Sequence, residues 1–222
     1  MVLYHGSAFI IDKPQWGKGK LNNDYGRGFY CTQDIELAKE WACLDNNLGY
    51  VNTYGINIDK LKILNLQDGE YTVLNWLALL IKYRGVRMST PVMRRGAEWL
   101  KEYFLVGIES YDAIIGYRAD DSYFSFARAF LNNEISYNQL KRVIYLGELG
   151  IQIMIKSEKA FESLSYLGYE KVENRIYLRK RMTRDSNARR RYREELEQED
   201  IDGIYMRDII REEMKNDDIR LR

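Results

Sequence analysis

Residues 24–32 read DYGRGFYCT. Two glycines, Gly26 and Gly28, bracket one arginine, and the aromatic pair Phe29–Tyr30 follows at once. Gly26 suits a turn that needs positive φ. Gly28 fits that account less well, because Phe29 and Tyr30 already resume strand character. A bare backbone there would let a flat ligand lie against the chain. No helix begins within the stretch, so it is not the G-x-G-x-x-G dinucleotide fingerprint, and no P-loop occurs anywhere in the chain.

Upstream, VLYHGS (residues 2–7) reads as a first strand ending near His5, the single histidine of the chain. Gly6 after it would open main-chain N–H and C=O groups to a ligand. A polar, glycine-rich loop runs from Asp12 to Tyr25. Downstream, DIELAKEWACL reads as a helix capped by Asp34, with Ile35, Ala38, Trp41 and Ala42 on one face. Trp41 lies eleven residues after Tyr30. If Tyr30 ends a strand and Trp41 sits two turns into the helix, both rings can line one cleft. Periodicity alone equally allows Trp41 to be the core anchor of its helix.

Further on, YVNTYGINI and LKILNL read as strands and YTVLNWLALLIKY as a buried helix. Thr90 and Pro91 make a sound helix start at N-cap and N1. YDAIIGY is a strand, followed by helices opened by Ser122 and Ser136. IQIMIKS is a late strand, SEKAFESLSYL a helix from Ser157, and GYEKVENRIYL a last extended piece. IDGIYMRDIIREEM reads as an amphipathic helix with Ile201, Ile204, Tyr205 and Ile209 on one side. Strands and helices mix without regular βαβ alternation, which predicts an α+β fold. From Arg179 to Arg193 there are eight basic residues and one acidic. This shift predicts a domain over residues 1–180 and a charged, helical extension over 181–222. The basic run could attract nucleic acid or an acidic protein surface, or be a solvated helix face.

Composition narrows the chemistry. The 222 residues are 45% hydrophobic and 30% charged with a net charge of +1, as in an ordinary soluble globular protein. The start of the chain lacks the pattern of a signal peptide and no apolar run could span a membrane, so a cytoplasmic location with no membrane partner is expected. Two cysteines make no disulfide framework. One histidine rules out a two-histidine zinc site, and no metal is expected. Cys31 is a poor nucleophile candidate, since alternation along the strand points it away from Tyr30.

LYHGS, then GRGFYCT, then an aromatic eleven residues later, resembles the ADP-ribosyltransferase superfamily. The resemblance is to the histidine–tyrosine–glutamate/glutamine branch of diphtheria toxin and the poly-ADP-ribose polymerases, and closest to a bacterial family assigned to that superfamily. It runs from Val2 to about Tyr169 and includes YDAIIGYRADDSYF. It implies a split β-sheet core with flanking helices, and NAD as the substrate. By that resemblance His5 hydrogen-bonds a ribose hydroxyl, and Gly6, followed by Ser7, gives main-chain bonds to the nicotinamide amide. Tyr30 stacks on nicotinamide beside the bare Gly28, Trp41 covers the other face, and Gln152 takes the late-strand catalytic place. His5, Tyr30 and Gln152 are then the catalytic set.

Two positions depart from the pattern. Ala38 stands where the polymerases carry a serine that holds the nicotinamide amide. Gln152 stands in place of glutamate; an amide can orient a ribose hydroxyl but stabilises a developing positive charge less well. Glu148 and Glu158 are the carboxylates nearest in sequence. Asp120 and Asp121 would contact NAD or cap the helix at Ser122. The implied activity is mono-ADP-ribosyl transfer, a glycosyltransferase reaction, onto a protein or nucleic acid, as in a bacterial toxin or defence component. The alternatives are an inactive NAD- or nucleotide-binding module of the same fold, and a nucleic-acid-binding protein using the basic tail. The final helix would dock on its own domain, on a second copy, or on a neutralising partner protein.

Overall fold

Val2–Ser7 forms β1 and Phe29–Cys31 forms β2 in the computed structural model, which describes residues 1–43, 48–119, 123–146 and 150–222. The helix after them, α1 (Ile35–Ala42), starts where expected: Asp34 Oδ1 accepts from the N–H groups of Glu36 and Leu37 at 2.9 and 3.3 Å. Next come β3 (Gly49–Ile56), β4 (Ile63–Asn65), α2 (Val73–Arg84) and α3 (Pro91–Tyr103). Thr90 caps α3 by accepting from Met93 N–H at 3.2 Å, with Pro91 at the first helical position. Then follow β5 (Ala113–Tyr117), α4 (Tyr123–Leu131), α5 (Tyr137–Leu146) and β6 (Ile151–Ile155). The chain continues through α6 (Glu158–Glu162), β7 (Leu164–Val172), α7 (Asn174–Leu196) and α8 (Met206–Arg211), with a 3₁₀ turn at Ile219–Leu221.

The fold is α+β, as expected. One sheet has the order β1-β3-β7 and is antiparallel; the other has the order β2-β6-β5-β4, with β4 and β5 parallel. Among the described residues the two sheets are joined by one bridge, where Tyr4 and Thr32 exchange N–H···O bonds of 2.8 and 2.9 Å. Counting on from that bridge, antiparallel pairing would set Gly6 opposite Tyr30. The strands have separated there, so the sheet is split at that point.

Helix α2 is buried without a break from Val73 to Ile81, because its sequence is apolar on nearly every side. It centres the main core with α3, α4 and α5, against which Tyr30 also packs. Cys31 points the other way, into a smaller cluster with Leu3, Ile153 and Ile155. Period-2 alternation thus puts Tyr30 and Cys31 on opposite faces of β2.

Several expectations are corrected. The helix from Ser157 stops at Glu162, because residues 164–168 pair with β3 instead (Leu164↔Ile56, Tyr166↔Tyr54). The last extended piece ends at Val172, and Asn174 onward is already α7. The final amphipathic helix is only α8: Ile201 is 84% exposed, whereas Met206 and Ile209 are buried. The expected boundary near 180 falls inside α7, which crosses it without interruption. Ser122 lies outside the described residues. No described helix is long and apolar enough to cross a membrane.

Candidate functional site

The split between the sheets opens into a cleft of about 1000 Å³. His5, Gly28, Tyr30, Trp41 and Gln152 all line it. Four different elements therefore bring the sequence-predicted residues together: β1, β2 with its lead-in, α1 and β6. Gly6 and Ser7 are not among its lining residues. Gly6 instead packs against α1, where a Cβ would meet Ala38 O, Ala42 N at 2.7 Å and Trp41 Cβ at 2.9 Å. Its peptide groups point to the same side as those of Tyr4, by strand alternation, towards the gap that β2 has left. Ser7 Oγ accepts from Phe9 N–H at 3.1 Å and turns the chain away.

His5 has a fixed tautomer. Its Nδ1 lies 2.7 Å from Tyr30 O. That carbonyl can only accept, so Nδ1 carries the proton and Nε2 is left as an acceptor. Phe29 packs on the ring at a centroid distance of 4.3 Å. Burial pulls the His5 pKa below its ordinary 6.5, against the smaller opposite effect of the Tyr30 carbonyl. The imidazole at neutral pH is therefore uncharged and presents Nε2 to a hydroxyl donor.

The glycine stretch has a clear local logic. Gly26 takes φ +84°, and the turn it makes lets Tyr30 Oη donate to Gly26 O at 2.7 Å while Tyr25 N–H donates to Tyr30 Oη at 3.1 Å. The Tyr30 ring is thus held by two hydrogen bonds at its hydroxyl, and burial lifts its phenol pKa well above the ordinary value. Gly28 is bare for packing: a Cβ would meet Met154 Cγ, Met154 Sδ at 2.8 Å and Ile155 O at 2.8 Å on β6. Trp41 sits near the end of α1, with the Arg118 guanidinium 5.3 Å from its ring centre. Cys31 is fully buried, and burial pushes its thiol pKa up, so no nucleophilic thiolate forms there.

Gln152 is embedded in a buried polar network. Its Nε2 donates to Asp24 Oδ2 at 2.7 Å and to Tyr117 O at 3.2 Å. Asp24 also accepts from Arg84 Nη1 at 2.8 Å and from Ala119 N–H at 2.8 Å. Burial raises the Asp24 pKa, and the Ala119, Arg84 and Gln152 donors pull it back. Glu158, by contrast, lines a separate, smaller cavity beside Asp12–Trp16. Glu148, Asp120 and Asp121 lie outside the described residues.

Two groups at the site went unread in the sequence. Asp24 looked like an ordinary loop residue, and only its burial marks it. The basic run also looked like a tail, yet Leu178, Arg181, Met182, Asp185 and Arg189 of α7 line the cleft. Their spacing of three to four residues was the signal that a helix face pointed inward. Among the described lining residues, eight cationic side chains face three carboxylates. Lys13, Lys18 and Lys20 from the loop and Arg181 from α7 contribute to that excess. The lining thus offers an acceptor, His5 Nε2, at one end and an excess of positive charge elsewhere. No three-carboxylate, histidine or cysteine group suited to a metal ion occurs among the described residues.

A family model described as a protein of unknown function (DUF3990) matches residues 1–166. No curated protein and no solved structure matches the chain.

Proposed function

The chain belongs to the DUF3990 family, and from that premise we propose that it is an NAD-dependent mono-ADP-ribosyltransferase acting on a macromolecular target. What supports this reading is the convergence of His5, Tyr30, Trp41 and Gln152 on one cleft at the split between two sheets. NAD fits the chemistry of the walls. Its nicotinamide ring stacks on Tyr30, its ribose hydroxyls donate to His5 Nε2 and to Gln152, and its diphosphate meets the excess of lysine and arginine. The cleft volume of about 1000 Å³ is at the upper end of the range for small-molecule sites, as a dinucleotide requires.

In the reaction, the bond between the nicotinamide nitrogen and ribose C1′ breaks and its electron pair stays on nicotinamide, which leaves neutral. The ribose carbon becomes cation-like. A nucleophile on the target forms the new bond to C1′ and gives up its proton to solvent or a base. The protein's part is to hold the ribose and to keep electronegative atoms near the developing charge.

Calorimetric titration of NAD into the full chain, with a nicotinamide-release assay, tests the proposal. Tyr30→Ala should weaken NAD binding at least tenfold, while Tyr30→Phe, which keeps the ring, should stay within a few-fold of wild type. An absence of NAD binding by the wild-type chain overturns it. The second reading, a binding module without catalysis, is favoured by the neutral Gln152. It predicts NAD binding without nicotinamide release.

A further inference from the structure

We propose that Asp24 is a positioning residue that forces Gln152 to present its amide oxygen, and not its amide nitrogen, to the ribose end of the cleft. The inference rests on the ADP-ribosyltransferase reading of the cleft and gives the glutamine a defined part in it.

The groups beside Gln152 Nε2 are a carboxylate oxygen (2.7 Å), a carbonyl oxygen (3.2 Å) and the Tyr25 hydroxyl, whose own proton is committed to Tyr117 O, so that all three face the amide as acceptors. Only the NH₂ end of the amide can face them, so the O/N assignment is dictated by its partners. Asp24 cannot turn away, because Arg84 Nη1 holds Oδ1 and Ala119 N–H holds Oδ2, each at 2.8 Å. The opposite end of the amide, Oε1, receives no hydrogen bond from a described residue, and Gln152 lines the cleft. Oε1 is therefore the atom offered to a ligand hydroxyl. The charge-assisted bond behind it polarises the amide and makes Oε1 a better acceptor than that of a free glutamine.

The same geometry explains why a glutamate is absent at 152. A carboxylate there would take the place of the amide nitrogen that now lies 2.7 Å from the Asp24 carboxylate and 3.2 Å from the Tyr117 carbonyl. Two buried carboxylates at that separation cannot both ionise. An aspartate at 24 and an amide at 152 thus require each other. Restoring the superfamily's glutamate harms this protein unless Asp24 is neutralised with it.

The test is a double-mutant cycle on the full chain with Gln152→Glu, Asp24→Asn and the pair together, read by melting temperature, NAD affinity and nicotinamide release. Gln152→Glu should lower the melting temperature by several degrees and cut release at least tenfold. Asp24→Asn lets the amide at 152 rotate, so release should fall while NAD affinity stays within about threefold; a merely structural defect would move both. In the double variant the amide introduced at position 24 can donate to the carboxylate introduced at 152, in exchange for the bond that Asp24 Oδ2 accepts from Ala119 N–H. At least half of the melting-temperature loss of Gln152→Glu should then return, with a tenfold gain in release over that single variant. A Gln152→Glu enzyme as stable and as active as wild type overturns the inference, and so does a double variant no better than the two singles. If Asp24→Asn fails to fold, the Gln152→Glu result decides. A wild-type chain that binds no NAD brings down the enzymatic reading itself, and the melting-temperature cycle then still reports whether residues 24 and 152 are coupled.

Discussion

Held between Phe29 and the Tyr30 carbonyl, His5 is a neutral imidazole with its proton on Nδ1, and that state carries a pH signature. Burial places its folded-state pKa below the ordinary 6.5. Between the folded pKa and 6.5 the unfolded chain binds a proton that the native chain does not. The stability that neutral His5 contributes is therefore present above pH 6.5 and lost as pH falls through the folded pKa, with a slope of up to about 1.4 kcal/mol per pH unit. Asp24 acts with the opposite sign: its raised pKa gives stability that is present at low pH and lost as pH rises through its folded value. Urea midpoints between pH 5 and 7.5 for wild type and His5→Gln separate the two, since His5 is the single histidine of the chain. The variant should lose the wild-type decline below pH 6.5; equal slopes would rule the assignment out. At this scale the sequence was informative wherever chemistry depends on residue type. The cleft brings together His5, the single histidine, with Tyr30, Trp41 and Gln152, which could be singled out only through the motifs that resemble the ADP-ribosyltransferase superfamily. Asp24 could not, since its role comes from Arg84, Ala119 and Gln152, which are 60, 95 and 128 residues away in the chain.

At the scale of elements, the site depends on how closely α1 lies against β1. Gly6 sets that distance, since any Cβ there meets the backbone of Ala38 and Ala42 and the Cβ of Trp41. Gly6→Ala forces α1 outward, an overpacking that costs about 1–3 kcal/mol, or a fall of roughly 2–12 °C in melting temperature for a domain of this size. Trp41 moves with the helix, so NAD affinity should fall with it. Gly55→Ala, whose Cβ would meet only the Leu167 side chain at 3.7 Å or more, is the matched control and should be near silent. A thermal melt and an NAD titration of both variants check this; equal effects would show that contact with α1 is not the cause. Caps and apolar periodicity made most elements legible, as Asp34 and Thr90–Pro91 show. One failure has a plain cause. The segment SLSYL continues a helical pattern locally, but its backbone pairs with β3, and long-range pairing overrides local propensity.

Taken as a whole, the molecule has no detachable tail. Arg184 on α7 makes two bonds of 2.9 Å to Glu40 on α1, a carboxylate that is 7% exposed. Tyr192, further along the same helix, packs edge-on to Phe126 of α4 at 5.0 Å. Helix α7 therefore ties α1 to α4 while lining the cleft. Beyond it, Trp99 Nε1 donates to Met214 O at 3.1 Å, and Gly96 lets Met206 approach α3. Ala188, Met206, Ile209, Met214 and Leu221 all belong to the main core. The charge run that marked a boundary in the sequence marks instead the solvent side and cleft side of a helix whose remaining face is docked. A chain ending at residue 180 would lose the buried side chains of Met206, Ile209, Met214 and Leu221. Each contributes about 1.5–3 kcal/mol, in a domain whose net stability is on the order of 5–15 kcal/mol. It should fail to fold, with no cooperative melt by circular dichroism, so removal of the tail cannot test nucleic-acid binding by the basic run. Arg184→Ala is the graded version. It leaves Glu40 buried without its bidentate partner and should lower stability by about 1–3 kcal/mol, less than the cost for a fully buried pair, because Arg184 is partly exposed. Glu40→Gln combined with Arg184→Ala should recover part of that loss. A truncated chain that melts cooperatively, or an Arg184→Ala variant as stable as wild type, would mean that α7 is a separable appendage after all.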